Sequence, residues 1–275
     1  VSSARRADNS RARRHQGAGH RPLAVHRIVQ KPGAIVIVIK GMYMKSLLRF
    51  ATGVALAWSV FSAPAYSAVG FVSNNNDSGG GSLREALVTA GADGTVVFTL
   101  TPLPATIDLA SEISVTQGVT ITGPGATLLT VRNTTERAFH LDASAKDVAI
   151  SGITIAGDNA SGNGGAILND GGNVTLDSVA ITGNTASGTG GAIYNNYFPG
   201  GNVLQIYNST LSGNHANKSG AIDFIGFQLV IVDSTIAANS ASDSAGAINL
   251  LNAEVAIRNS TIAGNSATFV GGINS

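Results

Sequence analysis

The 275-residue chain contains no cysteine, so no disulfide can brace it and no thiolate can hold a metal or attack a substrate. Aromatic residues make up 5% and charged residues 12%, which leaves few large anchors and few ion pairs. The longest uncharged apolar run, Phe50–Phe61, is 12 residues, short of the roughly 20 that a membrane-spanning helix needs. No serine–histidine–acid order, phosphate loop, dinucleotide fingerprint or zinc spacing occurs, and nothing in the second half shows a helical period. These gaps argue against a disulfide scaffold, a membrane span and most cofactor chemistry; the expected cofactors, metals and catalytic residues are therefore none.

Charge is unevenly placed. Residues 1–68 hold 11 Lys/Arg against one acid, Asp8, leaving 6 bases and 15 acids for residues 69–275, a formal charge of −9. An acidic main segment disfavours nucleic acid as a partner. From Met44 the chain reads "MKSLLRFATGVALAWSVFSAPAYSAVG". A basic start, a short apolar run and small residues near Ala65 and Ser67 are the layout of a secretory signal peptide. Residues 1–43 are read as an upstream extension, reflecting an over-long gene start, and 44–67 as the signal. The mature chain is expected to carry no transmembrane helix and to be secreted or displayed at the bacterial surface.

What the chain has is a phrase written five times. "GDNASGNGGAI", "GNTASGTGGAI", "GNHANKSGAI", "ANSASDSAGAI" and "GNSATFVGGI" start at positions 157, 183, 213, 238 and 264. Before each lies an alternating apolar stretch. One column collects Val148, Val174, Leu204, Leu229 and Val255; a second Ile150, Leu176, Ile206, Ile231 and Ile257; a third Ile155, Ile181, Leu211, Ile236 and Ile262. The first two columns lie two residues apart, on one face of a strand, and a polar turn pair such as Asn208-Ser209 separates them from the third. A recurring module of strand, corner, strand, Gly-Asn corner, loop and short strand predicts a solenoid. The fold expected is all-β: a right-handed, single-stranded parallel β-helix whose apolar columns become interior stacks, over 118–275. A calcium-binding β-roll would need a nine-residue, Asp-rich repeat, and a leucine-rich repeat a Leu skeleton with a helical return; neither is present.

Within the phrase, Asn184, Asn214, Asn239 and Asn265, with Asp158 at the first copy, are expected to form an amide ladder along one corner. The alanine two places later is expected to point inward, and the glycine before the isoleucine to let the chain re-enter the wall. Residues 68–117 differ. Ser82 and Glu85 form a capping-box pattern for a short helix ending near Gly91 or Gly94, placed to cover the first rung. Arg84 is read as solvated and Glu85 as a capping residue.

"GSLREAL" (Gly81–Leu87) resembles the "CSLREA" motif that opens many bacterial secreted β-helix proteins, with Gly81 in place of its Cys. The GN-x-A and GGAI phrases resemble repeats of polymorphic outer membrane proteins, with Ile181-x-x-Asn184 and its equivalents replacing an F-x-x-N. The resemblance covers about residues 74–275. It implies an adhesive, surface-exposed autotransporter passenger, with a host or environmental glycan or a surface protein as partner. Outer membrane association would then come through a region missing from the C-terminus, where the repeats look truncated.

The pectate lyase-like fold also hosts lyases and glycoside hydrolases, which keeps a carbohydrate-active enzyme open as the alternative. Its acids are scattered through the repeats as Asp158, Asp170, Asp177, Asp223, Asp233, Asp243 and Glu254, with Asp158–Asp177 and Asp223–Asp243 the pairs that coiling could bring together; His140 and His215 look isolated. One insertion, "YNNYFPGG", carries Tyr194, Tyr197 and Phe198, and "DFIGF" carries Phe224 and Phe227 one rung on. These five aromatics form a candidate contact patch for sugar or protein, set against the plainer reading that they close a corner.

Overall fold

The structure is a computed structural model that describes residues 30–31, 34–35, 67–196 and 201–275. The chain divides into two units, 1–63 and 64–275. In the first, Gln30–Lys31 pairs antiparallel with Ala34–Ile35. Apart from those four residues, the span read as an upstream extension lies outside the described residues, as do 44–66 of the span read as a signal peptide, and Tyr197 and Phe198. Among the described residues no helix is long and apolar enough to cross a membrane.

The second unit is a right-handed parallel β-helix. Its first sheet has eight strands, from Val69–Val72 through Asn173–Asp177 to Glu254–Arg258. A second sheet of seven runs from Ala105–Asp108 to Thr261–Ala263, and a third of seven from Ile113–Val115 to Ile273–Asn274. A fourth row, absent from the sequence reading, stacks four two-residue strands: Asn159–Ala160, Thr185–Ala186, His215–Ala216 and Ser240–Ala241. Every pairing within these sheets is parallel and joins a strand to its equivalent one rung away.

The register fixes the interior. Val148 faces Val174, which faces Leu204, then Leu229 and Val255; Ile155, Ile181, Leu211, Ile236 and Ile262 align likewise. In the rung built on Asn173–Asp177, the buried aliphatics Val174, Leu176, Ile181 and Ile193 come one pair from the first sheet and one each from the second and third. At about 1.5–3 kcal/mol each they hold a rung to its neighbours, whereas a lone coil would expose them.

Two corner devices turn the coil. Between the first and second sheets, Ser178, Asn208, Asp233 and Asn259 adopt left-handed backbone, φ 48–56°. The next hydroxyl then accepts the amide one rung below: Ser209 Oγ from Val179 N at 3.0 Å, Ser234 Oγ from Ser209 N and Ser260 Oγ from Ser234 N, both at 3.1 Å. At the Gly-Asn corner the left-handed residue is Gly157, Gly183, Gly213, Ala238 or Gly264. The second glycine of "GGAI" serves packing instead. A Cβ at Gly191 would fall 2.2 Å from the Gly220 carbonyl oxygen, and Gly165, Gly220 and Gly246 stand in the same relation to the rung above.

Helix α1, Leu83–Ala90, covers the first rung with Leu83, Ala86 and Ala90. Ser82 Oγ accepts the Glu85 amide at 3.2 Å and Gly91 closes the helix. The capping box is half-formed: the Ser82 amide donates to the Gly79 carbonyl rather than to the Glu85 side chain. Arg84 is not solvated. It pairs with Asp77 at 2.9 Å and donates to the carbonyls of Ser111 and Glu112, tying the helix to the start of the third sheet.

Candidate functional site: the outer face of the third sheet

From Asn184 to Asn239 the amide ladder is buried inside the wall. Asn184 N and Nδ2 both donate to Asn214 Oδ1 at 3.0 Å; Asn214 repeats this on Asn239 Oδ1, and Asn239 on Asn265 Oδ1. Each Nδ2 also donates to a carbonyl one rung back, Ile155, Ile181, Leu211 and Ile236 in turn. Asp158 ends the ladder for a stated reason. Its Oδ1 accepts the Asn133 amide at 2.6 Å and its Oδ2 the Ala138 amide at 3.0 Å, a place where an Asn amino group would meet another donor. Burial pushes the Asp158 carboxyl up to about 8, against the pull of those two N–H groups.

A second ladder escaped the sequence reading. Asn169 Nδ2 donates to Asn195 Oδ1 at 2.7 Å, inside the third sheet. The recurring Ile-x-Asn of Ile167–Asn169 and Ile193–Asn195 was its signal. In the next rung that column holds Phe224, register partner of Asn195 and fully buried. Phe224 is therefore core and is corrected out of the contact patch: in Ile222-Asp223-Phe224 the alternation turns the first and third side chains inward. Phe227 is 55% exposed and packs over Gly201.

The outward column of the third sheet collects the chemistry. In register it reads Ser114, His140, Leu168, Tyr194, Asp223, Asn249 and Asn274. His140 is not isolated: Nδ1 lies 3.3 Å from Glu112 Oε1 and Nε2 3.0 Å from Asp170 Oδ2. Arg137, mostly buried, pairs with the other Glu112 oxygen. Asp170 Oδ1 accepts Asn196 Nδ2 at 3.0 Å, and Asn196 Oδ1 accepts the Tyr194 hydroxyl at a long 3.4 Å. Burial, then the charges of Asp223 and Asp170, hold the Tyr194 phenol above its ordinary value. Glu112 and Arg137 precede the periodic repeats, so nothing in the columns marked them.

Further along, Tyr194 and Asp223 line an open depression of about 400 Å³. Asp223, 5% exposed, accepts from Ser219 Oγ at 3.1 Å, from Thr189 Oγ1, and from Asn249 Nδ2 at 3.2 Å. Asn163, Asn217 and Lys218 line its polar side, Ile225 and Leu251 its apolar side. His215, in the variable corner, contacts Ser240 Oγ at 2.9 Å and stays exposed. Asp158 and Asp177 do not pair: Asp158 is inside the ladder while Asp177 engages Ser178 and Asn208 outside. Asp223 bonds to Ser219, Thr189 and Asn249. Among the described residues no group of three or more His, Asp or Glu is placed to hold a metal ion. No family model matches the chain, and no curated protein does.

Proposed function

We propose that this chain is an exported β-helix module that works by contact, a surface or secreted adhesive protein resembling an autotransporter passenger or a polymorphic outer membrane protein. The supporting observation is the outer face of the third sheet, where a polar column with Tyr194 runs rung after rung and opens into the 400 Å³ depression. A rigid, repetitive, flat surface suits recognition of an extended partner, and parallel rungs present side chains about 4.8 Å apart along it. The basic-then-apolar pattern of 44–67 supports export, and the Gly81–Leu87 and GGAI phrases support the family resemblance. The test has two arms. Residues 44–67 fused to a reporter that folds only after export should give an exported reporter, and labelled full chain should coat bacterial or host cells saturably. A retained reporter, or no saturable coating, would overturn the reading.

One observation favours a second reading, a carbohydrate-active enzyme. Glu112 and Asp170 flank His140 on an open face, and paired carboxylates are what glycoside hydrolysis uses. Both acids are already tied, to Arg137 and to Asn196, which favours orientation over proton transfer. Release of reducing or unsaturated sugar from polysaccharides, with and without calcium, would establish the enzyme reading instead.

A further inference from the structure

The depression between Tyr194 and Leu251 has the make-up of a ligand site, and we infer that it binds an uncharged saccharide unit of a neutral glycan. The inference deepens the adhesive reading and rests on it. Asp223 is buried with both oxygens engaged, so it orients Thr189 and Asn249 rather than offering itself to a ligand. Two of the lining groups are unspent donors. Asn163 spends its Oδ1 on the Thr189 amide at 3.2 Å, and among the described residues its amino group and the exposed Lys218 ammonium have no acid or carbonyl partner. Tyr194, Ile225 and Leu251, the last 51% exposed, line the same depression.

Apolar side chains and unspent hydrogen-bond donors in one depression match a pyranose, which has C–H faces and a rim of hydroxyl oxygens. Charge chooses among glycans. Lys218 shares the depression with Asp223, and Asp170 and Glu112 lie on the same sheet face, so acids outnumber that cation and a polyanion gains nothing there. Burial first, then the charges of Asp223 and Asp170, raises the Tyr194 phenol above its ordinary value. The volume, about 400 Å³, accommodates one or two sugar rings.

The test is affinity electrophoresis of the full chain through gels holding mannan, galactan, mixed-linkage glucan or polygalacturonate. The expected result is retardation by at least one of the three neutral polymers, with Kd raised about tenfold by Asn217→Ala combined with Lys218→Ala. Both residues are exposed, so the variant should keep the parent's melting temperature, and Lys146→Ala, exposed elsewhere, should bind as the parent does. Retardation by polygalacturonate alone, by no polymer, or equally for parent and double variant would overturn the inference. Should the double variant still coat cells as the parent does, the adhesive reading stands and the glycan site falls; loss of cell coating by the parent itself would remove the adhesive reading alone.

Discussion

Replacing Asn214 by Leu removes a fully engaged rung of the amide ladder while nearly conserving side-chain volume. Asn214 Oδ1 accepts both the backbone and side-chain N–H of Asn184, and its Nδ2 serves the Ile181 carbonyl and Asn239 Oδ1. Two of these partners keep a substitute. Asn184 Nδ2 still reaches the Ile155 carbonyl, and Asn239 Oδ1 still accepts the Asn214 backbone amide. The Asn184 amide loses its acceptor in a wall that water does not enter, while the Ile181 carbonyl loses a side-chain donor but stays in the parallel ladder to Thr210–Ser212. At about 1–3 kcal/mol for one orphaned buried group, the loss should be about 1–3 kcal/mol. For some 200 folded residues that lowers the melting temperature by about 2–12 °C. The same change at Asn265, in the half-exposed last rung, should cost under about 1 kcal/mol, since water replaces the lost partners. Urea unfolding followed by circular dichroism measures both. An Asn214→Leu midpoint equal to the parent's, or to that of Asn265→Leu, would refute the ladder as a source of stability.

Four further outcomes follow from named contacts. Asp158 has a folded-state pKa raised to about 8 against an ordinary value of 3.8, so the native state holds the extra proton between these limits. Its contribution is fully present below pH 4 and lost as pH rises towards 8; the urea midpoint should fall across that window, and a pH profile of Asp158→Asn unchanged from the parent's would contradict this. Gly191→Ala should cost more than about 3 kcal/mol, because its Cβ meets a carbonyl at 2.2 Å, whereas Gly183→Ala, with open space but φ 66°, should cost about 1–2 kcal/mol; equal midpoints would undo the distinction. Ala238→Gly relieves a left-handed alanine, φ 55°, and should raise stability by up to about 1 kcal/mol, a gain that thermal melts would register. Phe224→Ala should cost about 3–5 kcal/mol and Phe227→Ala under about 1 kcal/mol, a ranking that a surface position for Phe224 would reverse.

The solenoid was legible because its physics is periodic. Once Val148, Val174 and Leu204 share a column, parallel in-register stacking is the one arrangement that buries them all, and the Asn ladder follows from the same spacing. Helix α1 was legible from Ser82, the apolar positions and Gly91, although the Ser82 amide took a backbone partner that the pattern could not foresee. The fourth row of strands was hidden because two residues, such as Thr185-Ala186, show no alternation. The candidate site was the less readable part. Tyr194 was picked out, but Phe224 was misplaced because an aromatic in a strand gives no sign of its face until the register is known. Glu112, His140 and Asp170 come together from positions 28 and 30 apart through coiling, with no shared motif. Lys218, Asn163 and Asn217 lie in the variable corners, which differ from copy to copy and so drop out of any column.

The stack itself can be tested with the element the chain lacks. With no native cysteine, Thr175→Cys combined with Gln205→Cys places two thiols on register partners one rung apart, within the roughly 4.4–6.8 Å that a disulfide spans between Cα atoms. Mild oxidation of the folded chain should cross-link this pair fast and nearly completely, and should leave Thr175→Cys with Val203→Cys, displaced two residues along the strand, largely unlinked. Equal cross-linking of both pairs, or preference for the displaced one, would contradict the in-register coil.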